Sequence, residues 1–265
     1  MRALVVLRCG PGASIQDLGR PGHLHEGLAP GGALDRESLA AANESLGNPR
    51  EAAAIELCLH GATFRAEGAL TVSIEGAPRQ LEEGETLEVP ASSSAVRYVA
   101  LPGGVDVPLQ LGARATLVAA RLGGLEGRFL RAGDRVDASA PAPARELRVA
   151  PPADDGSPIR VVPGPDALAR DALDVLISAE FRISPAFDRV GVRLEGPKLA
   201  TLDDRPYSTP MVRGAIQVAH DGTPIVLGPD HPTTGGYPVL ATVVTVDLGR
   251  LARRRPGVPV RFRLA

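Results

Sequence analysis

The chain has 265 residues, enough for one large domain or two modest β-rich ones, and its 44% hydrophobic and 23% charged residues are the mixture of an ordinary globular protein. Its net charge of -2 gives no electrostatic reason for a nucleic-acid or membrane-surface partner. Lys198 is the only lysine, and it stands in Gly196-Pro197-Lys198, so a phosphate loop, a Schiff-base site and a biotin-carrier lysine all lack their amine.

Two cysteines, Cys9 and Cys58, lie in apolar runs without C-x-x-C or His/Cys clustering, so buried free thiols and no metal site are expected. No apolar stretch approaches about 20 residues, and Met1 to Arg8 is too short for a signal peptide, so no membrane span and a cytoplasmic location are expected.

Short runs rich in β-branched residues recur with turn residues about every 8–12 positions, the spacing of sandwiches and barrels. Strands are expected at 3–7, 55–59, 70–74, 86–89 and 96–101, then at 159–162, 215–218, 224–227, 239–246 and 258–262. Two segments carry a helical period instead. Leu34, Leu39, Ala42 and Leu46 share one face behind a possible Asp35 N-cap, and Gly47-Asn48-Pro49 stops the run. Pro165 to Ala179 places Leu168, Ala172, Val175 and Leu176 in a stripe.

Ala/Pro-rich residues 138–145 and a Pro/Asp/Gly patch at 151–158, around a short strand at 146–150, mark a boundary. This division predicts an N-terminal β-rich subdomain at 1–140 and a C-terminal one at 158–265. The halves echo each other weakly, as in Gly133-Asp134-Arg135-Val136 and Gly257-Val258-Pro259-Val260, which chance similarity between hairpins explains as well as duplication does.

Three polar, glycine-rich stretches are candidates for binding. The first, Gly12 to Asp35, gathers Gln16, Asp17, Arg20, His23, His25 and Asp35, which either meet a ligand or brace the loop. The second, Ser184 to Arg193, reads as extended, so Arg189 and Arg193 would share a face and either hold an anion or form solvated ion pairs. The third, Gly228 to Pro238, runs Asp230-His231-Pro232-Thr233-Thr234-Gly235-Gly236-Tyr237; its hydroxyls and Gly-Gly suit a ligand or a plain hairpin turn. His231 could serve as a general base, but no framed Ser or Cys nucleophile accompanies it.

Taken in order, these segments resemble one family across nearly the whole chain. The N-terminal match is Ser14-Ile15-Gln16-Asp17-Leu18-Gly19-Arg20-Pro21-Gly22, then Pro30-Gly31-Gly32-Ala33-Leu34-Asp35, Gly47-Asn48-Pro49 and Ala53-Ala54-Ile55-Glu56. The C-terminal match is Gly214-Ala215-Ile216-Gln217-Val218, Thr223 to Leu227 and Thr233-Thr234-Gly235-Gly236-Tyr237-Pro238. The resemblance is to the KipA family, also called allophanate hydrolase subunit 2 or the biotin-dependent carboxyltransferase family.

That resemblance implies a mainly β fold of two cyclophilin-like barrel subdomains with a few short helices. It implies work inside an ATP-dependent 5-oxoprolinase, opening 5-oxo-L-proline to L-glutamate with a KipI-like partner and a LamB/YcsF-like partner. Two alternatives follow from the same family: the carboxyltransferase component of a biotin-dependent urea-type carboxylase, and a non-catalytic KipI-binding regulator. A small amide or lactam is the implied substrate. Its binding residues would be Gln16, Asp17, Arg20, Asp35, Asp188, Arg189, Gln217, Thr233, Thr234 and Tyr237, with Arg20 and Arg189 on an anionic group. Departures from the family pattern fall at Phe187, at His231-Pro232 and at Ala219-His220.

Overall fold

The computed structural model describes residues 2–139, 150, 153–166, 170–200 and 207–265, with Arg170 described for its backbone alone. Residues 146–149 of the expected strand at 146–150, most of the Ala/Pro boundary, and Leu168 lie outside them. Contacts divide the chain into two compact units. One holds Met1–Pro21 and Gly31–Pro152; the other holds Gly22–Pro30 and Ala153–Ala265.

The first unit contributes nine strands. They are β1 (Ala3–Cys9), β2 (Ser14–Gln16), β3 (Ala54–Cys58), β4 (Ala62–Glu67), β5 (Leu70–Ile74), β6 (Ala77–Leu81), β7 (Thr86–Val89), β8 (Val96–Ala100) and β9 (Arg135–Asp137). They form a four-stranded sheet, β7-β4-β1-β9, and a five-stranded sheet, β2-β3-β8-β5-β6. Alternation decides which side faces in. On β4, Ala62, Phe64 and Ala66 are buried while Arg65 is exposed. Both sheets feed one apolar core, including Leu4, Ile15, Ile55, Phe64, Val72 and Leu87.

The helix Arg36–Glu44 packs against β8. It starts where expected, because Asp35 is extended and its carboxylate accepts from the backbone N–H groups of Glu37 and Ser38. It ends at Glu44, and the turn that follows closes at Gly47, whose φ of +71° a side chain would resist.

The second unit adds β10 (Ile159–Pro163), β11 (Glu180–Phe187), β12 (Gly191–Glu195), β13 (Thr209–Pro210) and β14 (Ala215–Val218). It continues with β15 (Pro224–Leu227), β16 (Thr234–Gly235), β17 (Val239–Val243) and β18 (Pro259–Leu264). Seven of them close a barrel in the order β10-β17-β14-β15-β12-β11-β18, and the parallel pairing of β18 with β10 completes it. β13 and β16 form a separate ribbon. The molecule is mainly β with a barrel, as the resemblance implied.

Two local expectations differ from the structure. The strand placed at 239–246 ends at Val243, and Thr245–Arg253 is a helix. Residues 184–193 are not one extended run: the chain turns between β11 and β12, because the Asp188 carboxylate accepts from the Val190 and Gly191 N–H groups at 2.8 and 2.9 Å. Arg189 therefore points inward, 7% exposed, while Arg193 lies exposed on β12, so the two share no face. Cys9 and Cys58 are free thiols, each half-buried.

Candidate functional site

In the first unit the glycine-rich segments are laced together by polar side chains that bond to the backbone. Asp17 accepts from Gly19 N–H at 2.7 Å and Arg114 N–H at 2.5 Å, and its carbonyl accepts from Ala33 N–H at 2.8 Å. Gly32 lets Leu18 come close, since a Cβ there would lie 2.6 Å from the Leu18 carbonyl carbon. Arg20 is 1% exposed and donates to the Ala115 carbonyl at 2.5 Å and, more weakly, to that of Gln110 at 3.4 Å. Asp35 is consumed as the helix cap and by the Ser38 hydroxyl.

Gln16 is fully buried. Its Nε2 donates to Ser14 Oγ at 2.9 Å and the Thr116 carbonyl at 3.1 Å, and among the described residues its Oε1 finds no donor. The carbonyl contact fixes which end of the amide is nitrogen. Beside it runs a polar chain to which no role was given from sequence. Glu56, cross-strand from Ser14, accepts from the Tyr98 hydroxyl at 2.6 Å and Leu34 N–H at 2.8 Å, and Tyr98 in turn accepts from Asp35 N–H at 3.0 Å. Burial, with the Glu56 carboxylate alongside, pushes the Tyr98 phenol well above its ordinary range, so it stays protonated. The available signal was a glutamate inside the apolar run Ile55-Glu56-Leu57.

In the second unit the loop after β15 carries the remaining candidates. Arg189 binds Asp230 through two parallel hydrogen bonds of 2.9 Å, with the two side chains 8% and 12% exposed. His231 is 1% exposed. Its Nδ1 must donate to the Pro232 carbonyl at 2.8 Å, which leaves Nε2 as the unprotonated nitrogen. Burial first, and the Arg213 guanidinium as well, lower its pKa, so the ring is neutral at pH 7.

Beyond it the ribbon pairs Pro210 with Thr234 and Thr209 with Gly235, and Met211 N–H donates to the Thr233 carbonyl at 2.9 Å. Gln217, on β14, lies under this ribbon. Its Nε2 meets Met211 Sδ at 3.0 Å and the Tyr237 carbonyl at 3.3 Å. A Cβ on Gly235 would lie 2.9 Å from that nitrogen, so this glycine makes room for the amide. The Tyr237 ring stands edge-on to His220, with centroids 5.0 Å apart.

These contacts separate the ten candidates into two sets. Gln16, Asp17, Arg20, Asp35, Asp188, Arg189 and Gln217 hold backbone or other side chains within their own unit. Thr234 is exposed, and Thr233 and Tyr237 are half-buried. Thr233, Thr234 and Tyr237 thus place two hydroxyls and a phenol on or beside the ribbon, open to a small polar ligand. Among the described residues no His, Cys, Asp or Glu cluster could hold a metal ion, and no helix is long and apolar enough to cross a membrane.

Comparison with known proteins decides the family. Residues 26–264 match the carboxyltransferase domain, subdomain A and B. The chain belongs to that family. This carboxyltransferase domain is 33% identical to the 5-oxoprolinase C subunit of Escherichia coli strain K12, over 98% of the chain and 90% of the relative. It is 30% identical to urea amidolyase of Lachancea kluyveri over 95% of the chain, but that covers 16% of the relative. The crystal structure of the K. lactis urea amidolyase superposes with a TM-score of 0.86 at 25% identity, over 98% of this chain and 18% of that one. In the two amidolyases, therefore, the carboxyltransferase domain corresponds to less than a fifth of a much longer protein.

Proposed function

We propose that the chain is the C subunit of an ATP-dependent 5-oxoprolinase, which opens 5-oxo-L-proline to L-glutamate in the cytoplasm. The observation that carries this reading is the near end-to-end match to the E. coli 5-oxoprolinase component, 98% of one chain against 90% of the other. Its partners would be a KipI-like protein and a LamB/YcsF-like protein.

Opening the lactam requires water to add at the ring carbonyl carbon and the C–N bond to break, with charge developing on the carbonyl oxygen. Donors aimed at that oxygen lower the barrier. Here the Thr233 and Thr234 hydroxyls and the Tyr237 phenol supply the groups that meet the substrate. Gln217 acts as a positioning residue, because its amide is spent on holding the ribbon. Arg189, Asp188 and Asp230 fix the approach to the same loop. Gln16, Asp17, Arg20 and Asp35 fix the loops of the first unit. Among the described residues no set fits ATP: Lys198 is tied at the surface to Asp221 at 2.9 Å and Thr223 at 2.6 Å, with no glycine-rich phosphate loop before it. Nucleotide chemistry is accordingly assigned to the assembly, and no step of it to this chain.

The urea amidolyase relatives favour a second reading, a carboxyltransferase that takes a carboxyl group from biotin to an amide nitrogen. Reconstitution separates the two. Mixed with its KipI-like and LamB/YcsF-like neighbours, the chain is expected to release glutamate from 5-oxoproline only when ATP is present. The chain alone is expected to be inactive. Thr234→Val should lower that rate by tenfold or more without changing the unfolding midpoint. A well-folded mixture that releases no glutamate, yet carboxylates urea when biotin carboxylase and carrier are supplied, would select the second reading.

A further inference from the structure

A cleft of about 390 Å³ opens at one end of the four-stranded sheet of the first unit, where β1 and β7 finish and β4 begins. Arg8, Cys9, Gly10, His60 and Glu88 are among the residues that line it. The register sets its charges. Arg8 pairs with Thr63 on β4, and Thr63 pairs with Glu88 on β7. The guanidinium and the carboxylate therefore leave the same face from backbones about 10 Å apart, with one strand between them. Neither makes an ion pair or a side-chain hydrogen bond among the described residues.

The surrounding backbone is built closely. Gly10 N–H donates to the Gly61 carbonyl at 3.2 Å. A Cβ on Gly10 would lie 2.1 Å from His60 Cβ, and one on Gly61 would lie 2.4 Å from the Val89 carbonyl oxygen. Bare glycines thus let His60 and the end of β7 close in. The adjoining turn is equally fixed: Leu59 holds a φ of +60° and its N–H donates to the Ala95 carbonyl at 2.6 Å. The Cys9 thiol donates to the Leu130 carbonyl at 3.3 Å, and burial, with Asp134 nearby, raises its pKa. It is a protonated wall of the cleft, not a nucleophile.

A simple anion drawn to Arg8 meets repulsion from Glu88, and a simple cation drawn to Glu88 meets it from Arg8. A ligand carrying both charges satisfies both. The volume lies at the lower end of the usual small-molecule range, about 300–1,000 Å³, which suits a compact ligand. We propose that this cleft binds a free α-amino acid as its zwitterion, with its carboxylate on Arg8 and its ammonium on Glu88. His60 then faces the ligand's side chain. The inference does not depend on the activity proposed above.

Calorimetric titration of the full chain tests it, with L-glutamine and L-alanine as zwitterions and propionate and ethylamine as single-charge controls. Both amino acids are expected to bind at least tenfold more tightly than either control. Arg8→Ala and Glu88→Gln should each weaken amino-acid binding by tenfold or more. Both side chains are exposed, so the thermal midpoint should not move, and circular dichroism checks that. Propionate binding as tightly as L-alanine would overturn the proposal, as would unchanged affinity in both variants or no saturable heat up to about 20 mM. Loss of binding in Thr234→Val with retention in Arg8→Ala would place the ligand in the second unit and overturn it equally.

Discussion

At the scale of single residues, the polar side chains that look most like ligand-binding groups on paper are mostly engaged with other groups of the protein. Arg189 shows why. Its guanidinium and the Asp230 carboxylate are both largely withdrawn from water, and each is the other's main compensation. Asp230→Ala is expected to lower stability by about 3–5 kcal/mol in urea denaturation, because it takes the paired carboxylate from a buried guanidinium. The Arg189→Ala, Asp230→Ala double variant should lose clearly less than the two singles added, since each single change already breaks the same pair. Additive losses would mean that each side chain acts through other contacts. Gly235 offers the complementary test. In Gly235→Ala the new methyl must displace the Gln217 amide, which sits at the flexible end of its side chain and can move. Stability should fall by about 1 kcal/mol or less, while glutamate release by the reconstituted assembly should fall by tenfold or more. Equal activity would remove Gln217 from any positioning role.

Elements were legible where alternation and turn chemistry agreed, and illegible where β-branched residues continued into a helix. Leu70–Ile74, Thr86–Val89, Ala215–Val218 and Pro224–Leu227 fall on the expected residues, each bounded by polar or turn-forming neighbours. The run from Val239 to Val246 has no such break, so its propensity reads as one strand. The helix Thr245–Arg253 is imposed by tertiary contacts that propensity does not contain. Asp247 is 1% exposed, and it accepts from Arg160 through the backbone N–H and Nε, both at 2.9 Å, and Nη2 at 2.8 Å. Arg250 and Arg254 add further bonds from this end of the chain to Asp154, Asp155 and Ser157. The hydrogen bonds from Arg160 hold the Asp247 carboxyl at about 2, below its ordinary 3.8. A depressed carboxyl stabilises the fold above its unfolded pKa and loses that contribution as pH falls toward the folded value. Asp247→Asn should therefore cost about 2–4 kcal/mol at pH 7, and the gap to the parent chain should shrink between about pH 4 and pH 2. A gap that persists unchanged at pH 2 would show that shape, not charge, sets the effect. The candidate site was legible to a lesser degree: glycines marked where backbones approach, but burial and partner, which decide whether Arg20 binds a ligand or a carbonyl, arise only from the fold.

At the scale of the whole molecule, the weak internal echo has a physical content. Gly133 and Gly257 both adopt positive φ, +90° and +83°, and each turns the chain into the strand that follows, β9 or β18. The consequences of those strands differ. Among the described residues β9 is an edge strand laddered with β1, whereas β18 closes a barrel by pairing parallel to β10 and antiparallel to β11. Removing residues 259–265 would open two strands to solvent at once and withdraw Val260 and Phe262 from the core, along with the edge-on contact of Phe262 with Phe181, 6.2 Å between centroids. Deleting one buried aromatic alone costs about 3–5 kcal/mol, a large share of the 5–15 kcal/mol that holds a typical domain folded. The truncated chain is therefore expected to lose amide-exchange protection throughout β10 and β11 rather than fray locally. The conservative variant Phe262→Leu should keep the barrel, because both hydrogen-bonded ladders survive it and only part of the ring's volume is lost. Protection retained in β10 after truncation would mean that the barrel does not need its closing strand, and that the remaining strands β10-β17-β14-β15-β12-β11 are stable as an open sheet.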